Sequence, residues 1–492
     1  MTELFSVEQM YAADKAAMEG GVPGLTLMEN AGQSIVREIE ARWAPEPVLV
    51  LCGPGNNGGD GYVIARALAE KDWPVRVVVF GDPEKLKGDA LEMYRRYTGD
   101  IEALAGADNL EDELLIVDAI FGAGFKGDLP EPIRDLFDAI SSQGSHVVAV
   151  DTPSGVQGTD GTASAGTLEA DLTVTFFRPK TGHYLLPGRA YVGELVVTDI
   201  GIPEEVLDEI AIDVRQNNPA DWFDLIPQPV LDGHKYSRGH LAVNGGGVSS
   251  TGAARISARA GLRAGAGAVT VVTPPSALMV YATALEAVMV KSIDSEDDFE
   301  SWIADRRIGA VIIGPGNGVN DRTRSFVLKA LASNADVILD ADAITVFQED
   351  PDTLFNAIWE KANGTVVLTP HEAEFARLFD VEGSALERCR EAAAKSGAIV
   401  LLKGATTVIA APDGRATLNT NAPPYLATAG SGDALAGIIG GQVIGAEHPF
   451  AAVCAAVWIH SEAGAVVGQG LVAEDIEQQI PYIFQKLYVD YS

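Results

Sequence analysis

One carboxylate, Asp433, stands among small residues in the stretch Ala427 to Gly441, ATAGSGDALAGIIGG, where a glycine- and alanine-rich apolar helix is predicted to begin. Gly430 and Gly432 allow the backbone to approach a ligand closely. The helix that follows would aim its free N–H groups and positive dipole end at an anion such as a phosphate. An acid at an anion site is poor for binding alone, because like charges repel. It makes chemical sense as a base that takes the proton of a hydroxyl attacking a phosphoryl group. The plain alternative is an aspartate that only caps the helix.

A second set of polar residues lies in the first half of the chain. Val48 to Cys52 reads as a buried strand and runs into GPGNNGGDGYVIARAL, a glycine loop followed by a helix. Strand, glycine loop and helix in that order indicate a doubly wound α/β domain, in which ligands sit beyond the carboxyl ends of the strands. The dinucleotide spacing G-x-G-x-x-G is absent, and Asn56-Asn57-Gly58-Gly59-Asp60 stands in its place. Further strands are predicted at Val75 to Phe80, at Leu114 to Val117 ending in Asp118, and up to Val150 before Asp151-Thr152-Pro153-Ser154. Loops leaving parallel strands share one edge of the sheet. Oxygens of Asn57, Asp118 and Ser154 would therefore converge on a hard monovalent cation or on a ligand phosphate, unless they serve only as turn residues.

The motifs NNGGDGYVIAR, VDAIFGAGFKGDL and AVDTPSGVQGTDG, in this order, resemble the epimerase module of the NAD(P)H-hydrate repair enzymes over about Met1 to Pro203. The resemblance implies a potassium ion held by Asn57, Asp118 and Ser154. It also implies a hydrated dinucleotide contacted by Asn56, Asn57, Gly58, Gly59 and Asp60, by Gly122, Ala123, Gly124, Phe125, Lys126, Gly127 and Asp128, and by Asp151, with Lys126 and Asp151 as the acid and base. Inverting the hydroxylated ring carbon requires it to become planar and to be rehydrated from the other face, which a paired cation and carboxylate can assist by moving a proton.

Turn formers near Asn217-Asn218-Pro219 mark a boundary, so domains of 1–215 and 216–492 are predicted. In the second half, strands at Leu241 to Asn244, Ala310 to Ile313, Ile338 to Leu339, Val366 to Thr369 and Val400 to Lys403 each empty into a polar or glycine-bearing loop. GPGNG, DADAIT, TPHEAEFARL, LLKGATTVI and AGSGD together resemble the dehydratase module of the same enzymes, a ribokinase-like fold, over about Asp221 to Ser492. The expected fold is thus a Rossmann-like three-layer αβα domain followed by a ribokinase-like α/β domain. By this resemblance the hydrated cofactor meets Ala253, Gly316, His371 and Asp433, while the nucleotide meets Lys403, Gly404, Ala405, Thr406, Thr407 and Gly432.

The implied chemistry is leaving-group activation. Hydroxide is a poor leaving group, being the conjugate base of water with a pKa of about 15.7. With Asp433 as base, the ring hydroxyl attacks a nucleotide's terminal phosphoryl group, and the resemblance implies Mg²⁺ as an aid; the ring nitrogen then expels phosphate and the dihydropyridine returns. The resemblance implies ADP as donor and AMP plus phosphate as products, acting on hydrated NADH or NADPH of the S form. The competing readings are a ribokinase-like small-molecule kinase fused to a nucleotide-binding domain, and a dinucleotide sensor with inactive sites.

Composition narrows the partners. The 492 residues carry a formal net charge of -34, which repels nucleic acid and anionic membranes. The three cysteines, Cys52, Cys389 and Cys454, have no C-x-x-C spacing, so neither a disulfide framework nor a zinc site is predicted. The N-terminus lacks a basic segment followed by an apolar one, and no uncharged apolar run reaches about 18 residues. A cytoplasmic protein is expected. Small residues spaced along GGGVSSTGAARISARAGLRAGAGAV suit close packing on a sheet or on another subunit, and a homo-oligomer is the expected state.

Overall fold

The computed structural model describes residues 2–104, 114–228, 234–235 and 237–491. The chain divides into two compact units, Glu3–Val214 and Arg215–Ser492.

The first unit is built on seven strands: β1 (Val48–Cys52), β2 (Val75–Val79), β3 (Ile101–Ala103), β4 (Leu115–Ala119), β5 (His146–Val150), β6 (Leu172–Phe176) and β7 (Glu194–Thr198). They form one parallel sheet in the order β3-β2-β1-β4-β5-β6-β7. Every residue of β1 is buried, because helices cover both faces. Val48, Val50 and Cys52 enter one core while Leu49 and Leu51 enter the other, as the two-residue period of a strand requires. The strand order reverses between β1 and β4, and at such a switch point the loops leaving neighbouring strands open a crevice. Those two loops touch: a Cβ on Gly53 would lie 1.8 Å from the Ile120 carbonyl oxygen, so only glycine fits there.

The chain opens with two helices, Val7–Glu19 and Gly24–Arg42. Ser6 and Gln9 form a capping box at the first, and Gly21, at φ 99°, with Pro23 interrupts the run.

The second unit holds a ten-stranded sheet of β8 (Val214–Gln216), β9 (His240–Asn244), β10 (Ala268–Thr273), β11 (Met289–Ser292), β12 (Ile308–Ile313), β13 (Asp336–Leu339), β14 (Val366–Leu368), β15 (Ile399–Leu402), β16 (Thr407–Ala410) and β17 (Ala416–Asn419). Its order is β11-β10-β9-β12-β13-β14-β15-β16-β17-β8. The strands from β11 to β15 pair in parallel, and β15-β16-β17 is an antiparallel meander. Helix Ser431–Val443 lies against helix Gly252–Arg263. A Cβ on Gly437 would meet the Ser257 carbonyl oxygen at 2.3 Å, so the small residues of both helices serve this close contact within the unit.

Among the described residues one helix, Pro449–Val467, is long and apolar enough to cross a membrane; it contains Glu462 and two thirds of its apolar window is buried in the core. Cys52, Cys389 and Cys454 are buried and free.

Candidate functional site

The crevice of the first unit opens into a cavity of about 480 Å³, a size suited to a small ligand or part of a dinucleotide. Asn56, Asn57, Asp60, Gly122, Ala123, Gly124, Phe125 and Asp151 line it. Gly58 and Gly59 serve packing: a Cβ on Gly58 would lie 2.0 Å from the Gly53 carbonyl oxygen, and one on Gly59 2.7 Å from the Met28 sulfur. Lys126, Gly127 and Asp128 are exposed on the loop beyond Phe125.

Asp151 is held in an unusual backbone state, φ 64°, directly after β5. For a residue with a Cβ this conformation is strained, and such strain clusters at functional positions. Its Oδ1 accepts from Lys180 Nζ at 2.6 Å and from Thr175 Oγ1 at 2.9 Å, and its Oδ2 accepts from the Ala123 amide at 3.1 Å. Burial works against the charge, yet Lys180 outweighs it and brings the carboxyl down to about 2. Lys180 is 1% exposed and lines the same cavity. Its place in the site is invisible in the sequence, because 29 residues separate it from Asp151. His183 packs behind this pair: Nε2 lies 2.9 Å from the Asp151 carbonyl oxygen and 3.0 Å from Thr152 Oγ1. Burial, reinforced by Lys180, pushes the imidazole down to about 4, so it is neutral near pH 7.

Asp118, at the end of β4, is 1% exposed. It accepts from the Ser154 amide at 2.8 Å and from Ser154 Oγ at 2.6 Å; Ser154 Oγ also accepts from the Phe121 amide at 2.8 Å. Burial raises this carboxyl to about 6 despite those hydrogen bonds. No cationic side chain pairs with Asp118 among the described residues, and Asn57 Nδ2 is a buried donor without a partner. A buried carboxylate that lacks a counter-charge and has the Ser154 hydroxyl beside it is chemically compatible with a monovalent cation.

In the second unit, Gly430 takes the left-handed conformation, φ 86°, and starts helix Ser431–Val443 with Asp433 in its first turn. Ser431 is fixed from behind by His460, whose Nε2 lies 3.1 Å from Ser431 Oγ and 3.0 Å from its carbonyl oxygen. Burial, then the charges of Asp340 and Asp342, raise the Asp433 carboxyl to about 6 against the opposing pull of Lys403. Lys403 Nζ donates to Asp340 Oδ1 at 2.7 Å, and Thr369 Oγ1 donates to the same oxygen at 2.8 Å. Although burial disfavours its charge, Asp340 keeps the Lys403 ammonium above the ordinary lysine range. A Cβ on Gly432 would stand 3.5 Å from Lys403 Nζ, so the amine faces the start of the Asp433 helix.

The remaining sequence-predicted residues lie on loops and helix starts of the same unit. Gly316, φ 68°, approaches Ala253, with 3.6 Å between an added Cβ and that of Ala253. Asp342 accepts from the Gly318 amide at 2.7 Å and thereby ties the Gly316 loop to the carboxylate group around Asp433. His371 bridges in parallel to Lys403 and caps helix Glu372–Leu378, its Nδ1 accepting from the Ala373 and Glu374 amides. Gly404 and Ala405 are exposed on the turn between β15 and β16, while Thr406 and Thr407 are buried. Asp340 was not singled out in the sequence as a site residue; its position after β13 beside Ala341, which has φ 48°, is the signal that marks it.

Two α/β units, one with a crevice holding an ion-paired acid, the other with a carboxylate at a helix start beside a buried lysine, define a two-centre enzyme acting on a nucleotide-like ligand. Residues 24–182 match the model described as the YjeF-related protein N-terminus, and residues 241–482 match the model for NAD(P)H-hydrate dehydratase. The bifunctional NAD(P)H-hydrate repair enzyme of Moorella thermoacetica is 34% identical over 98% of this chain and 97% of its own length. That of Coxiella burnetii is 33% identical over 97% of this chain and 98% of its own. A ribokinase-like superfamily protein from Enterococcus faecalis superposes with a TM-score of 0.50 at 26% identity, covering 56% of this chain and 96% of that one. The chain belongs to the bifunctional NAD(P)H-hydrate repair enzyme family.

Proposed function

We propose that the first unit interconverts the R and S forms of hydrated NADH or NADPH and that the second dehydrates the S form, with ADP as phosphoryl donor and AMP and phosphate as products. The observation that carries this reading is that each unit holds its own carboxyl, and the two have opposite settings. Asp151 is held ionised by Lys180, and Asp433, raised to about 6, is a base that is ionised at neutral pH yet strong enough to take a proton.

At the second centre, Asp433 accepts the proton of the ring hydroxyl as that oxygen attacks the terminal phosphorus. The amides at the Gly430–Gly432 turn and the Lys403 ammonium meet the charge on the phosphoryl oxygens. Among the described residues no group of three or more His, Cys, Asp or Glu side chains is arranged to hold a metal. Mg²⁺ therefore belongs with the nucleotide phosphates, where its charge would offset theirs, and not in a protein cage. Gly404, Ala405, Thr406 and Thr407 form the nucleotide edge, and Ala253, Gly316 and His371 the cofactor edge.

At the first centre, Asp151 is the base, and the Asn57, Asp118 and Ser154 oxygens would hold potassium, which would supply a fixed positive charge beside the ligand. Asn56, Asp60 and the Gly122–Phe125 loop enclose the hydrated ring. Lys126, for which the resemblance implied an acid–base role, is exposed on the same loop and does not line the cavity, so here it is assigned to the dinucleotide's phosphates instead. The acidic surface suits a cytoplasmic protein without nucleic-acid or membrane partners.

The test uses a mixture of both epimers of hydrated NADH with ADP or ATP, following the return of dihydropyridine absorbance. Wild type should convert the whole mixture. Asp151→Asn should give a fast partial phase and then a slow one limited by spontaneous interconversion. Complete conversion at the wild-type rate by this variant would falsify the epimerase assignment, and release of a stable phosphorylated product in place of phosphate would favour a small-molecule kinase.

A further inference from the structure

The helix Val7–Glu19 precedes the residues matched by the family model of the first unit, yet it forms one wall of the cavity. Val7, Met10, Tyr11, Asp14 and Met18 recur at three- and four-residue spacing and all line it. Four of them present apolar or aromatic surface; Asp14 is the one carboxyl. It shares the cavity with Asp151, Lys180 and Asp60.

We propose that Asp14 is a catalytic carboxyl of the first centre, protonating the departing ring hydroxyl while Asp151 serves as the base. The proposal rests on the reading of the first unit as the epimerase. Asp14 gives its proton to the hydroxyl oxygen at the hydrated ring carbon. The C–O bond breaks with its electron pair on oxygen, and water leaves. The ring nitrogen's lone pair forms a C=N⁺ bond, which flattens the carbon. Water then adds to the other face, the C=N⁺ pair returns to nitrogen, and the surplus proton of the added water passes to a carboxylate. Asp151 takes up that proton and passes it to solvent, from which Asp14 is reprotonated, so both carboxyls return to their starting states. No other reactant is consumed.

The surroundings separate the two acids. Burial raises Asp14 to about 6, partly opposed by Lys180 and aided by the Asp151 charge, whereas direct contact with Lys180 holds Asp151 at about 2. Two carboxyls in one cavity set apart in this way are the arrangement that assigns an acid and a base. Tyr11, Asp60 and Asp89 are the other titratable groups lining this cavity. The Tyr11 phenol is protonated throughout this pH range, and burial drives Asp60 well above the ordinary carboxylate range, which suits a hydrogen-bond donor and not an acid that must release its proton each turnover.

The experiment measures epimerisation by the full chain from pH 5 to 8, with the spontaneous rate subtracted. An acid must carry its proton, so wild-type kcat/KM should fall as pH rises through about 6. Asp14→Asn should lower the catalysed rate by about 10²–10⁴-fold and abolish that limb, Asp14→Glu should recover part of the rate, and dehydration of the pure S epimer should be unchanged in both. A wild-type profile flat over this range overturns the proposal, as does an Asn variant at wild-type rate, an equal loss in the Glu variant, or a limb that disappears in Asp60→Asn instead. Full epimerisation by Asp151→Asn would overturn the base assignment, and with it the reading on which the proposal rests.

Discussion

The Lys180 ammonium lies 2.6 Å from Asp151 Oδ1, and both groups are withdrawn from solvent, with side-chain exposures of 2% and 17%. In such a place the two charges depend on each other, since either one alone would be left buried without a partner. The strained backbone of Asp151 turns its carboxylate toward this lysine, the Ala123 amide and the cavity together.

Lys180→Gln should therefore act twice. Removing one partner of a buried ion pair typically costs about 3–5 kcal/mol, read as a lower melting temperature of the full chain. Loss of the cation should also raise the Asp151 carboxyl and depress epimerisation near pH 7, and the measurement is the epimerisation rate beside the melt. Unchanged stability together with unchanged rate would mean that the pair is not formed in solution.

Dehydration should have an acidic limb. Asp433 must be ionised to accept a proton, so the rate should fall as pH is lowered through about 6. Asp340→Asn removes a neighbouring negative charge and releases Lys403, both of which lower the Asp433 carboxyl, so the limb should move to lower pH. Asp433→Asn should cost about 10²–10⁴-fold in dehydration while leaving epimerisation intact. A pH–rate profile of the three proteins with the pure S epimer checks both expectations.

Potassium should stabilise the first unit through Asp118. The buried carboxylate has no counter-charge among the described residues, so a bound monovalent cation should raise the melting temperature by mass action. Melting in potassium against sodium, for wild type and Asp118→Asn, is the measurement. A response that persists in the variant would move the cation elsewhere.

Lys126→Ala should separate binding from chemistry. The side chain is exposed and stands on the loop that lines the cavity only as far as Phe125. Contact with the dinucleotide phosphates predicts a raised KM with kcat nearly unchanged. A fall in kcat at constant KM would instead make Lys126 part of the proton-transfer machinery.

The sequence by itself determined the two-part α/β plan. Runs such as Val48–Cys52 and Ala310–Ile313 are apolar along their whole length because helices cover both faces of a parallel sheet, and glycine loops follow them because the chain must turn sharply there. Asp433, Asp118, Ser154 and Asp151 were legible for the same reason: each lies in a strand-end loop or helix start with a local signature. Tertiary structure alone decided which cation faces Asp151, since Lys180 comes from the segment after β6, while the loop lysine, Lys126, is left in solvent. It also paired Lys403 with Asp340 across 63 residues and carried Asp14 from a separate helix into the cavity. Local pattern reports what the backbone does over a few residues; a carboxyl's protonation depends on burial and on charges brought near it by the packing of distant segments, which no spacing in the chain records.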